Sequence, residues 1–263
     1  MEKEKIMIDY SIVIPAYNEA DKISSTITQV LGFMRSFSPS FELLVVNDGS
    51  LDNTAQVIAS MEKDNPELTL IDNPHRGKGY TVWTGVTRAQ GEFIYMADAD
   101  LSTPIAELKK LSVWAKDQNF DIVIASREGT GAQRIGEPFY RHLMGRVFNF
   151  WVRMVALPGI TDSQCGFKLF RKKAAKDIFS RLQIYGSEAK NIKGAYFGAW
   201  DVEVLYLARK LRYTVKQVPV TWVHVRTTRI SPLKDSVKMA LDVIKVRIND
   251  LKGKYGSAQQ TLY

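Results

Sequence analysis

The chain has 263 residues, of which 45% are hydrophobic, which suits one large domain or a core domain with an appendage. Its one cysteine, Cys165, excludes an intrachain disulfide, and no apolar run approaches the ~18 residues needed to cross a bilayer. We therefore expect a globular protein of the cytosol, with neither a signal peptide nor an anchor at its polar N-terminus.

The net charge of +8 is concentrated in the second half of the chain. Residues 127–176 carry ten Lys and Arg against three acidic residues, and residues 223–263 carry eight against three. The first half is close to neutral. This asymmetry predicts an anionic partner for the C-terminal half: nucleic acid, an anionic membrane surface or a phosphorylated substrate.

Strand and helix patterns alternate regularly over the first half. The elements are, in order, the strand "YSIVIPAY", a helix over 21–37, the strand "FELLVVND", a helix over 53–63, the strand "LTLIDN", a helix over 79–90, the strand "EFIYMADAD", the helix "PIAELKKLSVWAKDQ" and the strand "FDIVIASR". Such alternation predicts a doubly wound, mostly parallel α/β sheet over residues 8–127. Ligands of such sheets bind beyond the carboxyl ends of the strands.

The second half has a different pattern, with longer helices and a basic end. A Gly-rich loop precedes the helical segment "FYRHLMGRVFNFWVRMVALPG", in which arginines recur beside aromatic residues, so that a buried helix and an interfacial helix both remain open. The strand "CGFKLF", a helix over 172–181, the helix "WDVEVLYLARKL", the strand "VKQVPVTWV" and a basic amphipathic helix follow. We expect one domain over 8–223, with an acceptor half over 128–223, and a membrane-associating helical extension over 224–263.

Two aspartates follow a buried strand in "EFIYMADADLSTP". Spacing of two places Asp98 and Asp100 on one side of an extended chain, where like charges are costly unless a cation lies between them. Mg²⁺ and Mn²⁺ prefer such oxygen ligands. The alternative is that one aspartate caps the helix that starts near Pro104 and the other is simply exposed.

A glycine-rich segment with basic residues precedes the third predicted helix. "NPHRGKGYTVWTG" sets His75, Arg76 and Lys78 among glycines, which suits phosphate binding at a helix start. Its spacing is not that of a P-loop. The chain also lacks G-x-G-x-x-G, which argues against a dinucleotide-binding dehydrogenase.

Taken together, the motifs "IPAYNEA", "VNDGSLDNT", "RGKGYTVWTG", "DADLSTP" and "SR" resemble those of a family 2 glycosyltransferase with the GT-A fold. In the second half, "ITDSQCGFKLFRKKAA", "WDVEVLYLARK" and "VPVTWVHVRTTRISPLKD" are similar to the dolichyl-phosphate β-glucosyltransferases, relatives of the dolichyl-phosphate mannosyltransferases. The resemblance covers about residues 9–250.

The resemblance implies roles for particular residues. Asp98 and Asp100 would hold Mg²⁺ or Mn²⁺ on the diphosphate of a nucleotide sugar, and with Arg127 and Arg141 they form the expected catalytic set. Arg127, Arg141 and Lys168 would meet the acceptor phosphate. The donor-binding residues implied are Pro15, Ala16, Tyr17, Glu19, Val46, Asp48, Lys78, Asp98, Ala99 and Arg229.

Two features depart from the family pattern. Ser102 stands where the mannosyltransferases tend to carry a glutamine ligand, so the metal would keep one more water. The eukaryotic glucosyltransferases usually carry an N-terminal membrane anchor, so membrane contact would have to come from the basic C-terminal half.

The resemblance implies an inverting transferase that moves a hexose, with glucose from UDP-glucose preferred, to a polyprenyl or dolichyl phosphate at the cytoplasmic membrane face. Three alternatives remain: a hydroxyl acceptor in cell-surface polysaccharide synthesis, GDP-mannose as donor, and a nucleic-acid-binding protein. The last is disfavoured because Asp48, Asp98 and Asp100 would repel a phosphate backbone. A phosphate acceptor is already anionic and needs no general base, so we expect Asp201 to cap a helix instead.

Overall fold

The computed structural model describes residues 7–196, 198–225 and 232–256, with the backbone alone for 232–234. A 3-10 turn at Ile105–Glu107 precedes α4. The strands and helices, in chain order, are β1 Tyr10–Ala16, α1 Ile23–Phe37, β2 Phe41–Asn47, α2 Thr54–Glu62, β3 Leu68–Asp72, α3 Lys78–Arg88, β4 Phe93–Met96, α4 Leu108–Lys116, β5 Ile122–Ser126, β6 Gln133–Ile135, α5 Phe139–Val155, β7 Lys168–Arg171, α6 Lys172–Phe179, α7 Trp200–Lys210, β8 Val215–Pro219, β9 Thr221–Val223 and α8 Pro232–Leu251.

Seven strands form the central sheet in the order β3-β2-β1-β4-β7-β5-β8. All neighbours are parallel except β7, which runs antiparallel between β4 and β5. Strands β6 and β9 pair in parallel as a separate two-stranded sheet. The mostly parallel α/β sheet expected from the sequence is confirmed. The predicted strand "VKQVPVTWV" is wrong as one element, because its two parts, β8 and β9, belong to different sheets.

Side chains of the central strands fill a core on each face of the sheet. On β1, Ile12 and Ile14 pack on the face covered by α1 and α4, whereas Val13 packs on the face covered by α3, α6 and α7. This alternation follows from the two-residue period of a strand. Because both faces are covered, the central strands β1, β4 and β5 are mostly apolar, which is the sequence pattern of a buried parallel sheet.

The register brings several strand ends to one edge of the sheet. In the parallel pairs, Ala16 lies beside Asn47, and Val13 lies beside Met96. The polar residues that follow β1, β2 and β4 are therefore neighbours in space although they lie up to about eighty positions apart in the sequence. The carboxyl ends of these strands, beyond which a ligand is expected to bind, therefore form one edge of the sheet.

Helix α5 lies mostly on the surface. Only Asn149 and Val152 of its residues are buried, and α8 packs against it. No helix in the described part of the chain is long and apolar enough to span a membrane. The exposed large apolar side chains of α5 are Phe139, Tyr140, Leu143, Val147, Phe150, Trp151 and Met154.

Candidate active site

The carboxylate of Asp48 holds the start of α3. Its Oδ1 accepts a hydrogen bond from the backbone N–H of Arg76, and its Oδ2 accepts one from that of Gly77, each at 2.9 Å. Gly77 has φ +89°, a conformation that a residue with a side chain rarely adopts. A buried carboxylate at the positive end of a helix is favourable. Asp48 thus fixes the glycine-rich segment at the edge of the sheet.

Tyr17 and His75 form a stacked pair beside this carboxylate. Their ring centroids are 4.1 Å apart and their planes differ by 7°. His75 Nδ1 lies 2.9 Å from Asp48 Oδ2, so the loops that follow β1, β2 and β3 meet at this point. The stack presents a flat aromatic surface at the strand ends, which is the kind of surface on which a nucleobase packs.

The loop after β1 is bonded to the loop after β2. The backbone N–H of Asn18 donates to Ser50 Oγ at 2.9 Å, and that of Glu19 donates to Thr54 Oγ1 at 2.8 Å. These bonds rigidify the strand ends that carry Tyr17 and Glu19.

Asp98, directly after β4, pairs with Lys78 at the start of α3. Lys78 Nζ lies 2.5 Å from Asp98 Oδ1, and the two side chains are 19% and 27% exposed. Burial lowers the pKa of Lys78, but the surrounding carboxylates, Asp98 foremost, raise that pKa to above its ordinary value. The strand end is therefore a partly exposed cluster of opposite charges.

Asp100 is oriented by a tight turn. Leu101 has φ +46°, an uncommon backbone conformation for a residue with a side chain, and its N–H donates to the Asp98 carbonyl at 3.1 Å. The backbone N–H and the hydroxyl of Ser102 both donate to Asp100 Oδ1, at 2.9 and 2.8 Å. Ser102 stands where the mannosyltransferases tend to carry a glutamine ligand, and in this structure it orients the Asp100 carboxylate.

Gly166 lies directly against Asp98. A Cβ at this glycine would be 2.2 Å from Asp98 Oδ2 and 2.5 Å from Oδ1, so only a residue without a side chain fits. The chain reaches this point because β7 is inserted antiparallel beside β4. This role of Gly166 does not follow from the sequence, since a local pattern does not reveal a close approach between distant segments.

Arg127 forms a two-bond pair with the fully buried Asp162. Arg127 Nε and Nη2 donate to Oδ2 and Oδ1, both at 2.8 Å, and its guanidinium lies 5.5 Å from the centroid of the Trp222 ring. Burial alone would raise the pKa of Asp162, but the guanidinium outweighs burial and holds that pKa well below its usual range. Asp162 is therefore an ionised partner of Arg127.

Lys168 and Asp201 form a second buried pair. The Lys168 ammonium is completely buried and donates to Asp201 Oδ1 and to the Cys165 carbonyl. The expectation that Asp201 caps α7 is wrong: α7 begins at Trp200, and the cap position is Ala199. Asp201 lies inside the first turn because its side chain is directed at Lys168. Burial raises the pKa of Asp201 despite the adjacent ammonium.

The other predicted site residues have varied surroundings. Val46 is completely buried, and its side chain packs against Gly85 of α3. Arg141 lies in the first turn of α5. Arg229 lies outside the described residues, so its role stays a prediction. The metal-, donor- and acceptor-binding roles of the other predicted site residues also stay predictions. Pro15, Ala16 and Ala99 lie at the ends of β1 and β4.

A loop of the acceptor half closes one side of the site. Arg76 Nε donates to Asn191 Oδ1 at 3.2 Å, and the N–H of Ile192 donates to the His75 carbonyl at 3.1 Å. The same loop is joined to α8, because the Tyr196 hydroxyl donates to Asp242 Oδ2 at 2.5 Å. Sequence reasoning missed this connection, which joins three segments far apart in the chain.

A family model described as "Glycosyl transferase family 2" matches residues 11–179, the segment that contains the strand ends and both aspartates of the D-x-D motif. The chain belongs to glycosyl transferase family 2. It is therefore a glycosyltransferase, and the expected family is confirmed.

Two relatives and one solved structure show how far the likeness extends. The chain is 31% identical over 258 residues to a dolichyl-phosphate beta-glucosyltransferase of Dictyostelium discoideum, covering 92% of this chain and 75% of the relative. It is 30% identical over 261 residues to the Homo sapiens protein of the same name, covering 93% and 76%. Glucosyl-3-phosphoglycerate synthase from Mycobacterium tuberculosis, solved with Mn²⁺, UDP and phosphoglyceric acid, shares the fold with a TM-score of 0.61 at 19% identity, covering 96% and 80%. The GT-A fold is confirmed.

Proposed function

We propose that the protein transfers glucose, with inversion, from UDP-glucose to a polyprenyl phosphate of the dolichyl type at the cytoplasmic face of a membrane. The relatives at about 30% identity that carry the name dolichyl-phosphate beta-glucosyltransferase support this choice of substrates. Asp98 and Asp100 beside the start of α3 support a nucleotide-sugar donor, because two carboxylates that can hold a divalent ion and a lysine meet there.

The observation that carries the proposal is the state of the two carboxylates that most resemble a general base. Asp162 is bonded to Arg127, and Asp201 is bonded to Lys168. A hydroxyl acceptor needs a base to take its proton, whereas a phosphate monoester with a second pKa near ~6 is already a nucleophile at neutral pH. The arrangement therefore favours a lipid phosphate over a hydroxyl.

The residues at the end of β4 fit a divalent ion such as Mn²⁺ or Mg²⁺. In the described ranges, no group of three or more His, Cys, Asp or Glu side chains is placed to hold a metal. Two carboxylates completed by diphosphate oxygens and water are the ligand set that such ions commonly accept in nucleotide sites. Asp98 and Asp100 would hold the ion, and when bound it would stabilise the negative charge that develops on the departing UDP.

The other roles follow from position. Tyr17 and Asp48 would hold the uridine end, with Asp48 also fixing the α3 start that meets the diphosphate. Arg141, on the mostly exposed helix α5 of the acceptor half, would draw the lipid phosphate towards the sugar. Arg127 would add positive charge at the same place, since it remains a cation in its pair with Asp162.

Membrane association through α5 belongs to the same proposal. Seven large apolar side chains of this helix are exposed, and the helix carries arginines but no acidic residue. An apolar face with basic residues suits the surface of an anionic bilayer, where each Lys or Arg contributes about 1 kcal/mol before screening by salt. We expect reversible binding to anionic vesicles that weakens as salt rises, measured by flotation; Val147→Asp should reduce it. No association at low salt would refute this part.

The donor and acceptor are tested together by product mass. We would incubate the protein with Mn²⁺, a short polyprenyl phosphate and UDP-glucose, UDP-galactose, UDP-N-acetylglucosamine or GDP-mannose in separate reactions. A hexosyl polyprenyl phosphate should form fastest from UDP-glucose. Faster product formation from GDP-mannose would indicate a mannosyltransferase instead. A gel shift with nucleic acid, without any glycolipid product, would refute the proposed function.

A further inference from the structure

The Lys78 ammonium occupies a position beside Asp98 that a divalent ion would need. Lys78 Nζ is 2.5 Å from Asp98 Oδ1. Both carboxylate oxygens lie close to Gly166, where a Cβ would come within 2.2 Å of Oδ2 and 2.5 Å of Oδ1. One oxygen of Asp98 is therefore bonded to a lysine, and the carboxylate has little room to move on the Gly166 side.

The positive charge of Lys78 opposes the binding of a second cation at Asp98. A lysine side chain is an ammonium at neutral pH, and this one lies in ion-pair contact with Asp98. A divalent ion at Asp98 would lie next to that ammonium. Like charges at such a separation repel more strongly in a partly buried site than in bulk water, so the two cations do not share one carboxylate oxygen without a cost.

Lys78 also lies where a diphosphate would offer it other partners. It is the first residue of α3, and its ammonium lies at the strand end that carries Asp98. Its flexible four-carbon stem lets the ammonium move by several ångströms without moving the helix. A diphosphate bound at this helix start would present oxygens within reach of Nζ.

We infer that Lys78 and the divalent ion compete for Asp98, and that a nucleoside diphosphate relieves the competition by taking the ammonium as its own partner. The inference rests on the proposed use of a divalent ion and deepens it. Without nucleotide the protein binds the ion weakly, and with nucleotide it binds the ion tightly. By linkage, the ion raises the affinity for the nucleotide by the same factor.

The test is direct titration of Mn²⁺ with and without UDP, followed by the electron paramagnetic resonance signal of the unbound ion. Lys78→Met should tighten Mn²⁺ binding in the absence of UDP by about tenfold, within the usual range of coupling between two sites. The factor by which UDP improves Mn²⁺ binding should be smaller in this variant than in the wild type. Unchanged or weaker Mn²⁺ binding in Lys78→Met would overturn the inference.

Arg88→Gln is the matched control. It removes one exposed positive charge from the last turn of the same helix, ten residues from Lys78. Its Mn²⁺ affinity without UDP should match the wild type. Equal tightening in both variants would show a general charge effect and would also overturn the inference.

A second substitution, Lys78→Gln, is measured alongside, with the thermal midpoint of each variant as the check on folding. Lys78→Gln should also tighten Mn²⁺ binding without UDP and reduce the improvement that UDP gives. Unchanged or weaker Mn²⁺ binding in this variant would likewise overturn the inference. Failure of the inference is distinct from failure of the proposed function. Absence of Mn²⁺ binding in the wild type with UDP would refute both, whereas the expected Mn²⁺ pattern without glucosyl transfer would refute only the proposed reaction.

Discussion

Carboxylates stand beside basic side chains in two regions of this protein, and the surroundings give them different properties. At the end of β4, Asp98 is 27% exposed and its partner Lys78 is 19% exposed. Two further pairs lie after β5 and on β7: Asp162 is completely buried beside Arg127, and Lys168 is completely buried against Asp201. A partly exposed pair can exchange partners with a ligand, whereas a buried pair is costly to separate. The first region suits exchange with a ligand, and the second holds its side chains in fixed positions.

The largest effect is expected on breaking a buried pair. Asp162→Asn leaves the Arg127 guanidinium without its ionised partner, which should reduce the free energy of unfolding by about 3–5 kcal/mol in denaturant titration. Glu67→Gln, at the exposed pair with Arg35, is the control and should have a much smaller effect. Equal effects of the two substitutions would contradict the distinction between buried and exposed pairs.

The same pair predicts a dependence of stability on pH. The pKa of Asp162 is lowered in the folded protein, so its stabilisation is fully present above the unfolded value near ~4 and is lost as the pH falls below it. The difference in stability between the wild type and Asp162→Asn should therefore be constant from neutral pH down to about pH 5 and should shrink in more acidic solution. A difference that already shrinks near neutral pH would contradict this assignment.

Removing the negative charge of Asp100 should abolish most of the activity and preserve the fold. Asp100→Asn should lower turnover by about 100-fold or more, the scale of losing one preorganised electrostatic contact. Its thermal midpoint should stay close to that of the wild type, because the side chain lies at the surface of the crevice. Excess EDTA should have the same effect on the wild-type enzyme, and full activity in EDTA would exclude a divalent ion from the reaction.

Crowding the exposed carboxylate is a finer perturbation. Gly166→Ala forces Asp98 to move, and a displacement of about 1 Å in an active site can cost about 100-fold in rate. Gly32→Ala is the matched control, since a Cβ there meets nothing within 4 Å. Steady-state kinetics of the two variants should separate them clearly, and wild-type turnover in Gly166→Ala would mean that the position of Asp98 does not matter.

The smallest effect concerns the acceptor. Arg141→Ala should raise KM for polyprenyl phosphate by about tenfold, as for one lost hydrogen bond to a charged group, while KM for UDP-glucose stays unchanged. Arg88→Ala removes an exposed arginine from the far end of α3 and should change neither constant. An equal rise in both KM values for Arg141→Ala would place this arginine at the donor instead.

The sequence predicted features that depend on local pattern. The alternation of strands and helices predicted a mostly parallel sheet. The general position of ligands in such sheets predicted the edge at which the candidate site lies. Asp48 was among the residues expected to bind the donor, and in the structure its carboxylate accepts hydrogen bonds from the N–H groups of Arg76 and Gly77. The position was predictable, but the partners come from a loop about thirty residues away.

Contacts between distant segments were not predictable. The insertion of β7 antiparallel between β4 and β5 places Gly166 against Asp98. Lys168 was expected at an acceptor phosphate, and its complete burial beside Asp201 depends on how α7 packs on the sheet. Neither arrangement follows from residue periodicity, because the pattern within one segment does not indicate which distant segment packs against it.

In the proposed reaction, the phosphate of the acceptor is itself the nucleophile. A direct test compares a short polyprenyl phosphate with the corresponding polyprenol, at equal concentration, with UDP-glucose and Mn²⁺, and follows the glucosylated lipid by mass spectrometry. We expect a product from the phosphate and none from the alcohol. Glucosylation of the polyprenol at a comparable rate would show that the protein activates a hydroxyl and that a phosphate acceptor is not required.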